Sequence, residues 1–429
     1  MLNPGWDQNL WNTYLRLLQS PHQVRIGVTI LNQQHQVIGD ISHLLMDGAV
    51  DIDALASTTR SLKMKIADPV GWSGLDPYGT VDNMKKLIQI NYGVQPMVGD
   101  TAFTSNVLYN MPIFTGPITS VSREGIMLNV ECAGKEHMLS KASRGLSIPK
   151  GWSRPALFLL YAVGQGESQW VNEAPSTAYP PMPNPMTWEP GTNMWTELKA
   201  LISADGLHAF YDGLGRLRMR RQPDQPVWQF NYDWLTQKVD PDLDLEAFVN
   251  NWQVIGGTPE GTSGRVRAEA SLPAWHPGSP MNLSRNGSAP RYVTGITQDD
   301  SILNADQARW IAERNLFEAS VAAYDVQMTT LVLPFLEEYD MYIINTPDYF
   351  GLGRFVQATI PLVGDIEMSV GFMSTSGKPV YGRYQSGIIE RPVINEAKRK
   401  PKKKPKKKKN KSKGKKGEKG RSGALGGVE

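Results

Sequence analysis

Cysteine is almost absent from this chain of 429 residues. Cys132 is its one thiol, which excludes an intrachain disulfide and every paired-cysteine metal motif. Long apolar runs are missing as well. No stretch approaches the ~20 consecutive apolar residues that cross a bilayer as a helix, so no membrane span is expected. The opening stretch MLNPGWDQNLWNTYLRLLQ has no basic segment followed by an apolar core and does not read as a secretory leader. The chain is expected to be made and folded in a cytoplasm and to reach any other place by assembly. Histidine is sparse: His22, His35, His43, His137, His208 and His276 stand apart, with no His-x-His or His-Glu-x-x-His spacing to hold a metal. The Gly-x-Ser-x-Gly elbow of a serine hydrolase is also missing.

Positive charge is scarce everywhere except at one end. From Lys398 onward the chain carries 16 Lys or Arg and 2 Glu, a net of +14. Residues 1–397 hold 29 basic and 40 acidic groups, a net of −11. A duplex-binding domain needs its cations on a folded surface where they neutralise phosphates. Here the body is acidic, and the cations sit on an appendage with almost nothing apolar to bury, so it is expected to be disordered. Lys398–Arg421 is the stretch that would touch a polyanion, without sequence preference. The same tail places glycine at every third position from Gly414 to Gly426. That is the collagen period, which needs three chains. A flexible Gly/Lys linker is the simpler account.

What remains is rich in alternation. WNTYLRLL has apolar residues at helical spacing. VRIGVTILNQQHQVIG alternates, breaks at a polar turn and alternates again, as a hairpin does. SLKMKIADP, KKLIQINYGV, MPIFTGPITSVSR and GIMLNVECAG follow as strands, making residues 20–135 one all-β region, a barrel or a sandwich. EHMLSKASRGL, RPALFLLYAVGQ and MWTELKALISADG suit helices, with a Pro-rich loop between them. A hairpin follows, turning at Asp212-Gly213. The LNADQARWIAERNLFEASVAA stretch is the clearest helix, with Asn304 as its cap. Strands follow from VQMTTLVLP to VYGRYQSGIIE, a second β-rich region.

Candidate chemistry stays thin. GLGRLR from Gly213 and GLGRFV from Gly351 invite a phosphate loop, but each runs from a turn into an alternating strand. DPDLDLE from Asp240 resembles half a calcium loop, yet Leu245 stands where glycine is required and Asn251 where the bidentate Glu should be. Cys132 reads as a small core thiol. Glu337-Glu338 is a carboxylate pair at a helix or turn that nothing marks as buried. No catalytic, cofactor-binding or metal residue is assigned, and no enzymatic activity is expected.

Four stretches in order carry a family resemblance: HLLMDGAVDIDALASTTRSLKMKIADP, MPIFTGPITSVSREGIMLNVECAGKEHMLSKA, LISADGLHAFYDGLGRLRMRRQP, and the long run from Asp306 to Phe372. Together they resemble the minor tail proteins of long-tailed bacteriophages, in particular the tail-tip or baseplate hub family. The match covers most of residues 25–390 and stops before the basic tail.

The resemblance implies a mainly β fold with some α: two antiparallel β-barrel-like domains joined by a mixed helical and loop middle. The residue pattern divides the chain into a helix at 1–19, β domains at 20–135 and 240–396 and a middle at 136–239, and composition adds a disordered tail at 397–429. The resemblance further implies a homotrimer in the virion tail tip, closing the tail tube and taking part in host attachment and DNA passage. Partners would be distal tail or tube proteins, the tape measure protein and other tip or fibre proteins. A tail-associated cell-wall hydrolase and a polyanion binder acting through the tail remain the alternatives.

Overall fold

Period-two alternation builds most of the structure. In the computed structural model, strand β4 buries Leu62, Met64 and Ile66 and turns Ser61, Lys63 and Lys65 to the other face. The structure describes residues 4–374 except 76–82, 98–107, 141–143, 174–178, 180, 183, 204, 222, 224, 232–239, 244–247, 260, 275–277, 283–288, 322–323, 346–349 and 365–366. The basic tail and VYGRYQSGIIE lie outside the described residues. Those described fall in one compact unit, Met1–Pro379.

In chain order the first strands are β1 (His22–Leu31), β2 (Val37–Asp40), β3 (Leu45–Asp53), β4 (Arg60–Ala67), β5 (Leu87–Pro96), β6 (Tyr109–Glu124) and β7 (Met127–Ala133). The middle contributes β8 (Leu146–Ile148), β9 (Trp170–Asn172), β10 (Met186–Trp188), β11 (Leu207–Tyr211) and β12 (Leu217–Arg221). Then come β13 (Trp228–Asn231), β14 (Asp240–Leu243), β15 (Asn251–Gly256), β16 (Arg267–Ser271) and β17 (Thr294–Asp299). The last are β18 (Tyr324–Leu331), β19 (Met341–Asn345), β20 (Phe350–Pro361) and β21 (Glu367–Ser374). The fold is mainly β with some α, as expected.

Among the described residues the main sheet has 13 strands, in the order β14-β18-β21-β20-β3-β4-β7-β6-β5-β1-β2, with β19 and then β13 branching from β20. Two long strands make this possible. β6 pairs first with β5 and then with β7, and β20 pairs first with β19 and then with β3. Each bends where an extra residue interrupts the ladder: β6 at Ile113 and Thr119, β20 at Val356. A bulge of this kind turns a strand and leaves its extra residue unpaired. The β3–β20 ladder, from Asp53 opposite Gln357 to Ala49 opposite Pro361, joins the strands from both ends of the chain. Their apolar faces share one core, with Val50, Leu62, Phe114 and Val130 from the first half and Phe335, Tyr342, Phe355 and Phe372 from the second. The helix Gln8–Leu18, capped by Asp7, presses Trp11, Tyr14 and Leu18 into the same core.

Two smaller packed clusters accompany the main sheet among the described residues. The middle one packs helices Arg154–Gly164 and Met194–Ser203 over the β11–β12 hairpin, around Phe158, Trp195, Tyr211 and Met219. Its hairpin turns at Asp212–Gly213, where sequence places it. The other lays helix Ala305–Val321 on the β16-β15-β17 sheet through Ala308, Ile311 and Ala312. Asn304 caps that helix by accepting from the Asp306 backbone N–H at 2.7 Å.

The two faces of β4 should behave differently under truncation. Leu62→Ala is expected to cost about 2–5 kcal/mol in denaturant unfolding, and the neighbouring exposed Lys63→Ala within about 0.5 kcal/mol.

Candidate functional site

A strand buried on both faces needs a partner for each. β12 sends Leu217 and Met219 into the middle core, so alternation sends Arg218 and Arg220 the other way. β11 does the same with His208 and Phe210. All four are buried, and guanidinium groups stay charged, so carboxylates must lie opposite. They come from the turn between β18 and β19, where Glu337, Glu338 and Asp340 are each 0% exposed. Nothing in the sequence marks Glu337 and Glu338 as buried, yet both are fully enclosed. The apolar Val332–Leu336 segment draws the turn into the main core and takes the acids with it.

A third arginine, Arg60 at the start of β4, completes the cluster. It grips Glu338 with two parallel bonds, Nε to Oε1 at 2.8 Å and Nη2 to Oε2 at 2.7 Å. Its Nη1 donates to the Ile113 carbonyl at 2.6 Å, satisfying a group that the β6 bulge releases from the ladder. Arg218 Nη1 lies 2.7 Å from both oxygens of Glu337, and its Nη2 pairs with Glu173. Arg220 Nη2 donates to the Glu338 carbonyl at 2.6 Å and lies 2.9 Å from Asp340 Oδ1. The Phe210 ring sits 5.0 Å from the Arg220 guanidinium and 5.8 Å from that of Arg218.

Tyr339, between the acids, has φ of 64°, a left-handed conformation unfavourable for an aromatic residue. Among the contacts that hold it, its ring stacks on His208 with centroids 4.2 Å apart, and its hydroxyl donates to the Ala54 carbonyl at 2.7 Å. Ala54 opens the loop before β4, and that loop is pinned from several sides. Ala54 N–H donates to the carbonyl of the bulged Val356 at 2.7 Å. Trp195 Nε1 donates to the Ser57 carbonyl at 2.8 Å, and Thr59 Oγ1 to Glu136 Oε1 at 2.7 Å. The hairpin tip docks as closely: Thr115 Oγ1 donates to the Gly213 carbonyl at 2.9 Å, and a Cβ on Gly213 would collide with the Pro112 carbonyl oxygen. Lys135 fastens its other side, donating to Glu167 and to the Gly215 carbonyl at 3.0 Å each, with His35 Nε2 at 3.1 Å.

The electrostatics follow from this packing. Burial pushes the Glu337 carboxyl up, but surrounding positive charges, Arg218, Arg220 and Arg60 among them, more than offset it and bring it down to about 2. Burial raises Asp212, helped by Glu337. Burial also drives His208 well below the usual imidazole range, and Arg314, Arg354, Lys199 and Arg220 add to the effect, so the stacked ring is neutral. Each carboxylate of the turn is committed to an arginine. The chemistry such an arrangement performs is fixation of one body against another.

The other sequence candidates fall elsewhere. The Gly213 stretch is a hairpin turn, and Gly351–Gly353 lies inside β20. Asp240–Leu243 is strand β14. Cys132 is buried in β7, where burial raises its thiol. Among the described residues no group of three or more His, Cys, Asp or Glu is arranged to hold a metal. The polyanion candidate Lys398–Arg421 lies outside the described residues.

No protein-family model matches the chain, and no curated protein matches its sequence. Solved structures do match its fold. A tail protein from Neisseria meningitidis MC58 is similar at a TM-score of 0.55 and 13% identity, over 82% of this chain and 98% of that one. The 43 kDa tail protein of prophage MuSo2 from Shewanella oneidensis is similar at 0.55 and 9%, over 82% and 99%. The resemblance to phage tail proteins read from the sequence thus holds in the fold.

Removing one member of the cluster leaves a buried charge behind. Arg60→Met is expected to cost about 3–5 kcal/mol in denaturant unfolding. Glu337 adds a pH signature. Its folded value lies below its unfolded one, so its contribution is complete above pH ~5 and is lost as pH falls toward 2. The stability gap between wild type and Glu337→Gln is therefore widest near neutrality and narrows between pH 5 and 2; urea titrations at pH 7 and pH 3 measure it.

Proposed function

We propose that this chain is a structural component of a phage tail, the hub of the tail tip or baseplate, and that it acts without enzymatic activity. The observation that carries this is the fold likeness, which takes in nearly the whole length of two tail proteins. In this role three copies form a ring that closes the tail tube, contacts distal tail or tube, tape measure and tip or fibre proteins, and passes DNA during host attachment. Residues 20–135 and 240–396 supply its two β-barrel-like domains, and residues 136–239 the part between them. The charge cluster suits a part that must keep its shape within an assembly, because paired buried charges fix one relative placement of the bodies they join. A body of net charge −11 also suits a passage for DNA, since like charge discourages adhesion.

The +14 end supports a subsidiary role, a non-specific contact of Lys398–Arg421 with a polyanion or an acidic partner. Its signature is steep loss of binding with salt.

Light scattering after size exclusion tests the assembly. The full-length chain is expected at three times its 47.6 kDa mass. A monomer that persists at high concentration contradicts the ring.

A further inference from the structure

The helix Arg154–Gly164, RPALFLLYAVG, has no charged residue after its first. Leu157, Phe158, Tyr161 and Ala162 face the middle core, yet Leu160 and Val163 are 51% and 50% exposed. A helix that is apolar all round belongs in an interior. Beside it opens a groove of about 560 Å³ lined by Leu146, Ile148, Leu157, Leu160 and Tyr161, and among the described residues Arg144 is the charged one on its wall. The groove therefore asks for an apolar occupant that carries a carboxylate.

The chain itself presents such an element. β2 is the last strand of the main sheet, and among the described residues it pairs with β1 alone. Its sequence is VIGD. Val37 and Ile38 are 64% and 55% exposed, and Asp40, at the end of the strand, is exposed too. Neighbouring strand residues point to opposite faces, so a groove that receives this edge can touch both apolar side chains. Sheet edges left open in this way are ready points of association.

We infer that these two surfaces meet between copies of the chain: Val37 and Ile38 of one copy fill the groove beside helix Arg154–Gly164 of the next, with Asp40 against Arg144. Charge complementarity selects the occupant, because the Arg144 guanidinium of the groove meets the single acid of the strand. The contact joins two different patches, so it repeats head to tail and generates a ring where the rotation closes. It rests on the trimeric assembly proposed above and names the surface that would build it.

Charge exchange tests the contact on the full-length chain by light scattering across a dilution series. The wild type is expected as a trimer. Asp40→Arg alone and Arg144→Asp alone should each weaken association roughly tenfold or more, and the double exchange should restore it. Leu160→Asp should weaken it further and not be rescued. All three positions are exposed, so circular dichroism of the variants should match the wild type. A trimer indifferent to every single substitution, or a double exchange that fails to restore it, overturns this contact and leaves the trimer standing; a different partner in the groove would give that same indifference. A wild-type monomer at every concentration overturns both.

Discussion

Three carboxylates with no access to water must be held by three cations, and much of this structure is arranged around that requirement. Glu337, Glu338 and Asp340 reach the interior because the segment before them, with Leu333, Phe335 and Leu336, is core-forming. Once inside, they cost several kcal/mol each unless paired. Arg60 is supplied by the main sheet, and Arg218 and Arg220 by a hairpin of the middle unit. The pairing therefore does more than neutralise charge. It sets where the middle unit sits on the sheet.

The surrounding irregularities serve the same end. The bulge at Ile113 frees a carbonyl that Arg60 takes, and the bulge at Val356 frees one that Ala54 takes. The unfavourable backbone of Tyr339 turns its ring onto His208 of the hairpin and its hydroxyl onto the loop before β4. An apolar contact of the same size would tolerate sliding, whereas bidentate and carbonyl-directed bonds have one good geometry. The joint is built to give position.

Much of the fold was legible in the residues, because its elements are written locally. SLKMKIA alternates over a strand with one wet face, and Asn304 stands where a helix cap belongs, so β4 and helix Ala305–Val321 follow from period and chemistry. The charge cluster was not legible. LRMRR reads as part of an alternating hairpin strand, and Glu337-Glu338 as a carboxylate pair at a helix or turn; each is ordinary alone. Only the pairing across 119 positions between Arg218 and Glu337 makes both buried, and local periodicity carries no information about so distant a partner. A faint signal was present in FLEEYDMY, where apolar residues flank the acids closely on both sides.

The most direct test of the joint is a double-mutant cycle between Arg218 and Glu337, replacing each by an apolar residue singly and together and measuring unfolding free energy at neutral pH. Removing Arg218 takes the arginine from buried Glu337, removing Glu337 leaves Arg218 with Glu173 alone, and the double change removes both charges, so a coupling of at least about 1.5 kcal/mol is expected. A coupling near zero, with the two losses simply adding, would contradict the dependence of the structure on this pair.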